Sequence, residues 1–365
     1  MYKTICLCLL LLFVGCSGGG QKKVLGNWMD RAIARDFKRF EKEGISKTLL
    51  DQSWEACKKH KEFQRYQVID SKVYGPESRI KILLEEMVVR YPVPDVDFIY
   101  YYEDRLKPSF FKRSRHRDSA PIFVSAKNKS LENVVLFADW NYNVRDESSG
   151  WNFLIRKMNE SHLKWAWADK IEKLFWKGTP WDGKHFGMYD FDNWKTIPRG
   201  RLVAESRKYP ELIDATFSEY PFKCATEDLG RCVREMGESQ FISWDEMLHF
   251  KYHMAIDGVT CSFPATQWKL LSGCLVFKQE SDDIQYYYDE LIPWKHYVPV
   301  KGDLSDIKEK ILWAKTHDAE AQGIAKNARE FALTHLMPEH IFEYCYKVLV
   351  KYASLQRFSP DQGSQ

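Results

Sequence analysis

The sequence predicts an α/β protein built from two layered units. Helical segments with one apolar face alternate with short, continuously apolar runs, the pattern of strands covered on both sides in a mostly parallel sheet. The alternation starts near residue 27 and begins again near Leu174. The chain's 365 residues, 44% hydrophobic, also exceed what one core usually holds.

Residues 17–26, rich in Gly and Lys, read as a linker. In "RIKILLEEMVVRYP", Ile80, Leu83, Leu84, Met87 and Val88 share a helical face, and Pro92 and Pro94 stop the helix. "VDFIYYYED" follows as an aromatic strand ending in Glu103-Asp104, with Asp95 ahead of it. "APIFVSAK" and "NVVLFAD" are two further buried strands.

In the second unit, "KLFWKGTPW" reads as a strand breaking into a Gly turn, and "LIDATFSE" as another strand. "DEMLHFKYHMAIDG" reads as a helix closed by Gly258. "WKLLSGCLVFKQ" passes from helix to a strand at Cys274–Lys278, and "HYVPV" follows. Two amphipathic helices come next, the second with Ile324, Ala325, Ala328, Phe331 and Ala332 on one face. Asp303 or Ser305 is placed to cap the first of them. "IFEYCYKVLVKYASL" is the last helix, and "SPDQGSQ" is a disordered tail.

A net charge of +3 gives no global bias towards nucleic acid. No G-x-G-x-x-G, P-loop or C-x-x-C occurs, so dinucleotide, P-loop, zinc-ribbon and thioredoxin readings lack their residues. The N-terminus, "MYKTICLCLLLLFVGCSGGGQKK", places Lys3 before an apolar run from Ile5 to Val14. That is a secretory-signal pattern, and "FVGC" resembles a lipoprotein box with Cys16 as the lipidated residue. The expected location is therefore exported or membrane-associated through the leader. The alternative is an uncleaved leader holding the body at the cytoplasmic face, with Lys22 and Lys23 on that side. In an exported body Cys224 and Cys232 are close enough to bridge. In a cytosolic one Cys57, Cys224, Cys232, Cys261, Cys274 and Cys345 are buried thiols.

Several short patterns carry candidate chemistry. Asp104, at a strand end, has the placement of a general base. "WKGTP" offers backbone N–H groups with Lys177 and Thr179 as a phosphate cradle, against the plainer reading of an ordinary turn. "DGVTCSFP" joins a helix end to the next helix through small residues, and a helix start near Ser262 would present N–H groups to an anion. Asp95/Asp97 and Asp190/Asp192 form D-x-D pairs, but the first precedes its strand. His249 and His253 have helical i,i+4 spacing without the Glu of a zinc helix, so no metal is expected. The basic run Arg105–Arg117 suits an acidic acceptor or a solvated loop. Asn128 and Asn159 begin glycosylation sequons.

"HFKYHMAIDGVTCSFPATQWKLLSGCLVFKQ" and then "YYYDELIPWKHYVPVKGDLSDI" resemble the protein O-glucosyltransferase (Rumi) family, which includes capsule-associated and lipopolysaccharide-modifying members. The similarity covers roughly residues 65–355 and is strongest from Leu212 to Ile307. The resemblance implies a GT-B fold, two Rossmann-like domains facing a cleft, with the C-terminal helix packing back. Its boundaries would be 1–26 for leader and linker, 27–170 for the acceptor-side domain, 171–340 for the nucleotide-sugar domain and 341–365 for the final helix and tail. It implies inverting, metal-independent transfer of a sugar, glucose or xylose, from a UDP-sugar to a glycan or protein hydroxyl, with no cofactor. Asp104 inherits the base role. Lys177, Gly178 and Thr179 take the place of the family's F-R-G-S donor loop, and Arg199, with Arg201 second, that of a phosphate-binding Arg. Val259, Thr260, Cys261, Ser262 and Phe263 take the place of the V-A-A-S-F-R loop. Pro264 replaces its terminal Arg, which leaves Lys269 or Arg201 to supply a cation. Trp294–Val300 resembles the PW-x-HYIPV signature and is assigned to bracing the donor half. The missing Arg and the leader also favour an alternative, a catalytically inactive glycan-binding lipoprotein that keeps the fold.

Overall fold

The structure, a computed structural model, describes residues 19–106, 118–139, 148–179, 194–218 and 241–361. Its helices are α1 (Gly19–Phe37), α2 (Phe40–Glu43), α3 (Lys47–Cys57), α4 (Arg79–Arg90), α5 (Trp151–Lys164), α6 (Pro198–Lys208), α7 (Trp244–Leu248), α8 (Ala265–Leu271), α9 (Ile307–Thr316), α10 (Asp318–His335) and α11 (Pro338–Leu355). The expected linker is already helical from Gly19, because α1 is anchored downstream by buried Trp28, Met29, Ala32, Ile33 and Phe37.

The first sheet joins β1 (Phe63–Ile69), β2 (Lys72–Tyr74), β3 (Val96–Tyr101), β4 (Ile122–Val124) and β6 (Val134–Leu136) in the order β2-β1-β3-β4-β6. It is mixed rather than mostly parallel. The β1–β2 hairpin and the β1–β3 pair are antiparallel, while β3, β4 and β6 run parallel. The hairpin closes through Asp70 and Ser71, both in the left-handed region at φ 49° and 60°. Arg65 and Gln67 hide this strand from an apolar-run reading, yet both are buried. Arg65 makes a bidentate pair with Asp97, donating from Nε and Nη2 at 2.7 Å each, and the Gln67 amide donates to the same carboxylate at 2.9 Å. Asp97 therefore lies inside β3, not ahead of it, with its charge already used, and Asp95 accepts the Asp70 N–H.

The second sheet is wholly parallel, with β7 (Ile171–Gly178), β8 (Ile213–Phe217), β9 (Phe250–Ala255), β10 (Leu275–Gln279) and β12 (Val298–Val300) in the order β12-β10-β9-β7-β8. The helix expected over residues 245–258 is replaced by the short α7 and then β9. All six β9 residues are buried, so the strand has no polar face and its spacing imitates a helix. Lys251 is tolerated there because Glu172 and Asp318 accept from its amine at 2.8 and 3.2 Å. The Asp257–Pro264 loop thus follows a strand rather than a helix.

Between the sheets, β5 (Lys127–Asn128) pairs antiparallel with β11 (Asp283–Ile284) and ties one half to the other. The last helix returns to the first sheet, where the Tyr352 hydroxyl donates to the Asp97 carbonyl at 2.7 Å. The tail expected to be disordered is held as far as Asp361, whose carbonyl accepts from Gln67. Neither Asp303 nor Ser305 caps α9. Asp303 accepts the Ser305 N–H, and Asp306 stands at the cap position without a side-chain cap bond.

Candidate active site

In the second sheet the carboxyl ends of adjacent parallel strands β7 and β9 open on the same edge, where α/β sheets bind ligands. Lys177 and Gly178 end β7, and Thr179 follows. The loop after β9 carries Val259 to Phe263 and leads into α8. Pro198 opens α6, a favoured place for proline, and sets Arg199 in its first turn.

Arg199 is fixed by main-chain acceptors from both strand ends. Its Nη1 donates to the Thr179 carbonyl at 2.9 Å and to the Thr179 hydroxyl at 3.2 Å, and its Nε to the Asp257 carbonyl at 3.0 Å. The guanidinium carbon sits 5.7 Å from the centre of the Trp176 ring. Gly258 lets the backbone pass close by, since a Cβ there would run into the guanidinium.

Lys177, Gly178, Thr179, Arg199 and Ser262 line a cavity of about 480 Å³, with Trp176, Trp244 and Trp268 also in its wall. The rest of the β9 loop divides. Val259 lines a neighbouring cavity of about 630 Å³ that reaches Arg105, Asn128 and Lys129 of the first half. Thr260 is buried and donates to Asp283 at 3.3 Å. Cys261 is buried, which pushes its thiol well up. Phe263 is half-buried at the head of α8. Arg201 points elsewhere, donating to the Asp303 carbonyl. Sequence reasoning missed Asp257, whose carboxyl is pushed up to about 6 by burial, against the nearby cations Lys278 and Arg199. Its position before Gly258 was the available signal.

Asp104 lies beyond the end of β3, at the carboxyl edge of the parallel part of the first sheet. It is half-buried. Burial raises its pKa above the usual carboxylate range, and the charge of Arg199 pulls it back. The candidate base on one sheet and the candidate donor cation on the other are thus within electrostatic reach.

The remaining motifs are structural. His249 ends α7, with its ring stacked 3.8 Å from Trp165, and His253 is buried inside β9, so they are not a helical pair. His296 is buried, accepts the Ile292 N–H and packs 5.0 Å from the Phe331 ring. Trp294 packs against Trp313. Asn128 donates to Asp283, and Asn159 accepts from Arg329. Cys57, Cys261, Cys274 and Cys345 are free and buried. Cys16, Cys224, Cys232, Asp190, Asp192 and residues 107–117 lie outside the described residues. Among the described residues no helix is long and apolar enough to cross a membrane.

A model of glycosyl transferase family 90 matches residues 29–365. The chain belongs to glycosyl transferase family 90. This family 90 chain is 29% identical to protein O-glucosyltransferase 2 of Danio rerio over 297 residues, 79% of this chain and 54% of that protein. It is 33% identical to protein O-glucosyltransferase 3 of Homo sapiens over 196 residues, 54% of this chain and 34% of that protein. The chain therefore spans about half the length of the first of these relatives and about a third of the second. Anabaena HepE in complex with UDP-glucose is similar at 12% identity and a TM-score of 0.42, over 76% of this chain and 77% of that one, too weak a likeness to assign residues.

Proposed function

We propose that the chain is an inverting, metal-independent glycosyltransferase that moves a sugar from a UDP-sugar to a hydroxyl of a glycan or protein. Glucose is the first donor to test, as the relatives' names indicate, and xylose the second. The observation that carries this reading is the convergence of Lys177, Thr179, Arg199 and Ser262 on one cavity, with Asp104 in the electrostatic field of Arg199. In this reading the two sheets are the halves of a GT-B enzyme, divided near residue 170, with the sugar nucleotide across the cleft. The leader, with Cys16, holds the body at a membrane.

The chemistry follows from the groups present. Ionised Asp104 takes the proton of the acceptor hydroxyl as its oxygen attacks the anomeric carbon. The bond from that carbon to the UDP phosphate oxygen breaks, and one displacement inverts the centre. Negative charge develops on the departing UDP, beside Arg199, held by Thr179 and Asp257, and the Lys177 and Thr179 side chains of the same cavity. Cations at that point supply the charge stabilisation that a divalent ion would otherwise bring.

Titration calorimetry of the full chain with UDP, UDP-glucose and UDP-xylose, with and without EDTA, tests this. Chelator-insensitive binding of a UDP-sugar is expected. Loss of binding with EDTA removes metal independence. A folded protein that binds none of them favours the glycan-binding alternative or a different donor.

A further inference from the structure

We propose that Lys269 is a third cationic contact for the leaving diphosphate, beside Arg199 and Lys177, standing in for the arginine that the Val259–Pro264 loop lacks. This rests on the donor reading of the cavity that holds Arg199.

Lys269 lies on α8, is only 5% exposed, and lines the same cavity as Lys177, Thr179, Arg199 and Ser262. Among the described residues lining that cavity there are three cations and no carboxylate. Nor does any described carboxylate come within ion-pair distance of the Lys269 amine. The amine has neutral partners, the Met254 carbonyl at 2.8 Å and the Trp268 ring, whose centre is 5.1 Å away. Such partners offset part of the cost of burying an ammonium group, but a buried cation beside a second cation is held at a loss until an anion arrives. The facing titratable groups are Arg199 on α6, Lys177 on β7 and His253 on β9. His253 is kept neutral by burial and by Lys269 itself. Burial and then Arg199 lower the amine's pKa to about 7. One of its three N–H donors goes to Met254, and two can turn to a phosphate oxygen. Arg201 is no rival, because it is committed to Asp303.

The test compares full-length wild type, Lys269→Met and Lys269→Arg by calorimetric titration with UDP and with uridine, below and above pH 7, with thermal melts as folding controls. Lys269→Met should lose UDP affinity by about 10- to 100-fold and leave uridine affinity unchanged. Wild-type UDP affinity should fall as pH rises above about 7, where the free amine loses its proton. Lys269→Arg should remove that pH dependence while keeping affinity. UDP and uridine weakened equally, or UDP affinity unchanged in Lys269→Met, overturns the proposal and leaves the donor reading standing. A folded wild type that binds neither overturns both. If Lys269→Met does not fold, the Lys269→Arg pH profile decides: a profile identical to wild type overturns the assignment.

Discussion

Arg199 donates a single guanidinium nitrogen to both the carbonyl and the hydroxyl of Thr179, at 2.9 and 3.2 Å. Arg199 sits in the first turn of a helix and Thr179 follows the strand β7, so the contact locks the candidate donor cation to the sheet edge. Arg199→Ala should weaken UDP binding about tenfold or more. Arg199→Lys should recover little of it, because an ammonium cannot reproduce the fork between Thr179 and Asp257. Calorimetry on the two variants measures this, and unchanged affinity in both would remove Arg199 from the donor site.

Asp104→Asn should keep UDP affinity and lower kcat by about 10²- to 10⁴-fold. The pH profile gives a second reading of the same carboxyl. A base must be ionised, so activity disappears as pH falls through its pKa in the folded protein. Burial raises that pKa and Arg199 opposes the rise. The acid limb of kcat/KM should therefore lie above that of an exposed aspartate, and shift to still higher pH in Arg199→Ala. A limb that stays put in the variant would separate the two residues.

Gly258→Ala places a Cβ against the Arg199 guanidinium. Gly258 is half-buried in a loop, so thermal stability should change little. The displaced cation should cost up to about 100-fold in kcat/KM. Full activity with an unchanged melting temperature would show that Arg199 has room to move.

Asp257 titrates near 6 in the fold, above the ordinary carboxylate value. The folded protein therefore holds this proton more tightly than the unfolded chain. Its contribution to stability is complete at low pH and is lost as pH rises towards and through about 6. Asp257→Asn should raise the melting temperature at neutral pH and change it little near pH 4, where the native carboxyl is already protonated. Melting curves across that range check the sign.

Asp97→Asn should destabilise the protein by about 1–3 kcal/mol, since Arg65 loses its bidentate partner and keeps only Asp51, at 2.9 Å. Added manganese should not alter the melting temperature of wild type or variant through this residue. A metal-dependent rise that Asp97→Asn abolishes would restore the D-x-D reading.

Much of this was legible locally. The faces of α4 and α10 follow from the spacing of Ile80, Leu83, Leu84 and Met87, and of Ile324, Ala325, Ala328 and Phe331, all buried as the helical period requires. Strands β7, β8 and β10 stand out as short apolar runs. Arg65, Gln67 and Lys251 broke that rule, because their partners Asp97, Glu172 and Asp318 come from other elements of the chain. The β1–β2 hairpin and the true nature of β9 were missed for that reason.

The sequence by itself determined the α/β alternation, the family and the chemical types at Asp104, Thr179 and Arg199. Tertiary structure decided which of those residues meet. Sheet order sets β7 beside β9, so Thr179, Arg199 and Ser262 share one cavity, while the fold directs Arg201 away and Lys269 in. The physical reason is that side-chain period and turn chemistry act over a few residues, whereas charge and desolvation depend on neighbours far along the chain. Asp104 and Arg199 sense each other only once two separate sheets have brought them together.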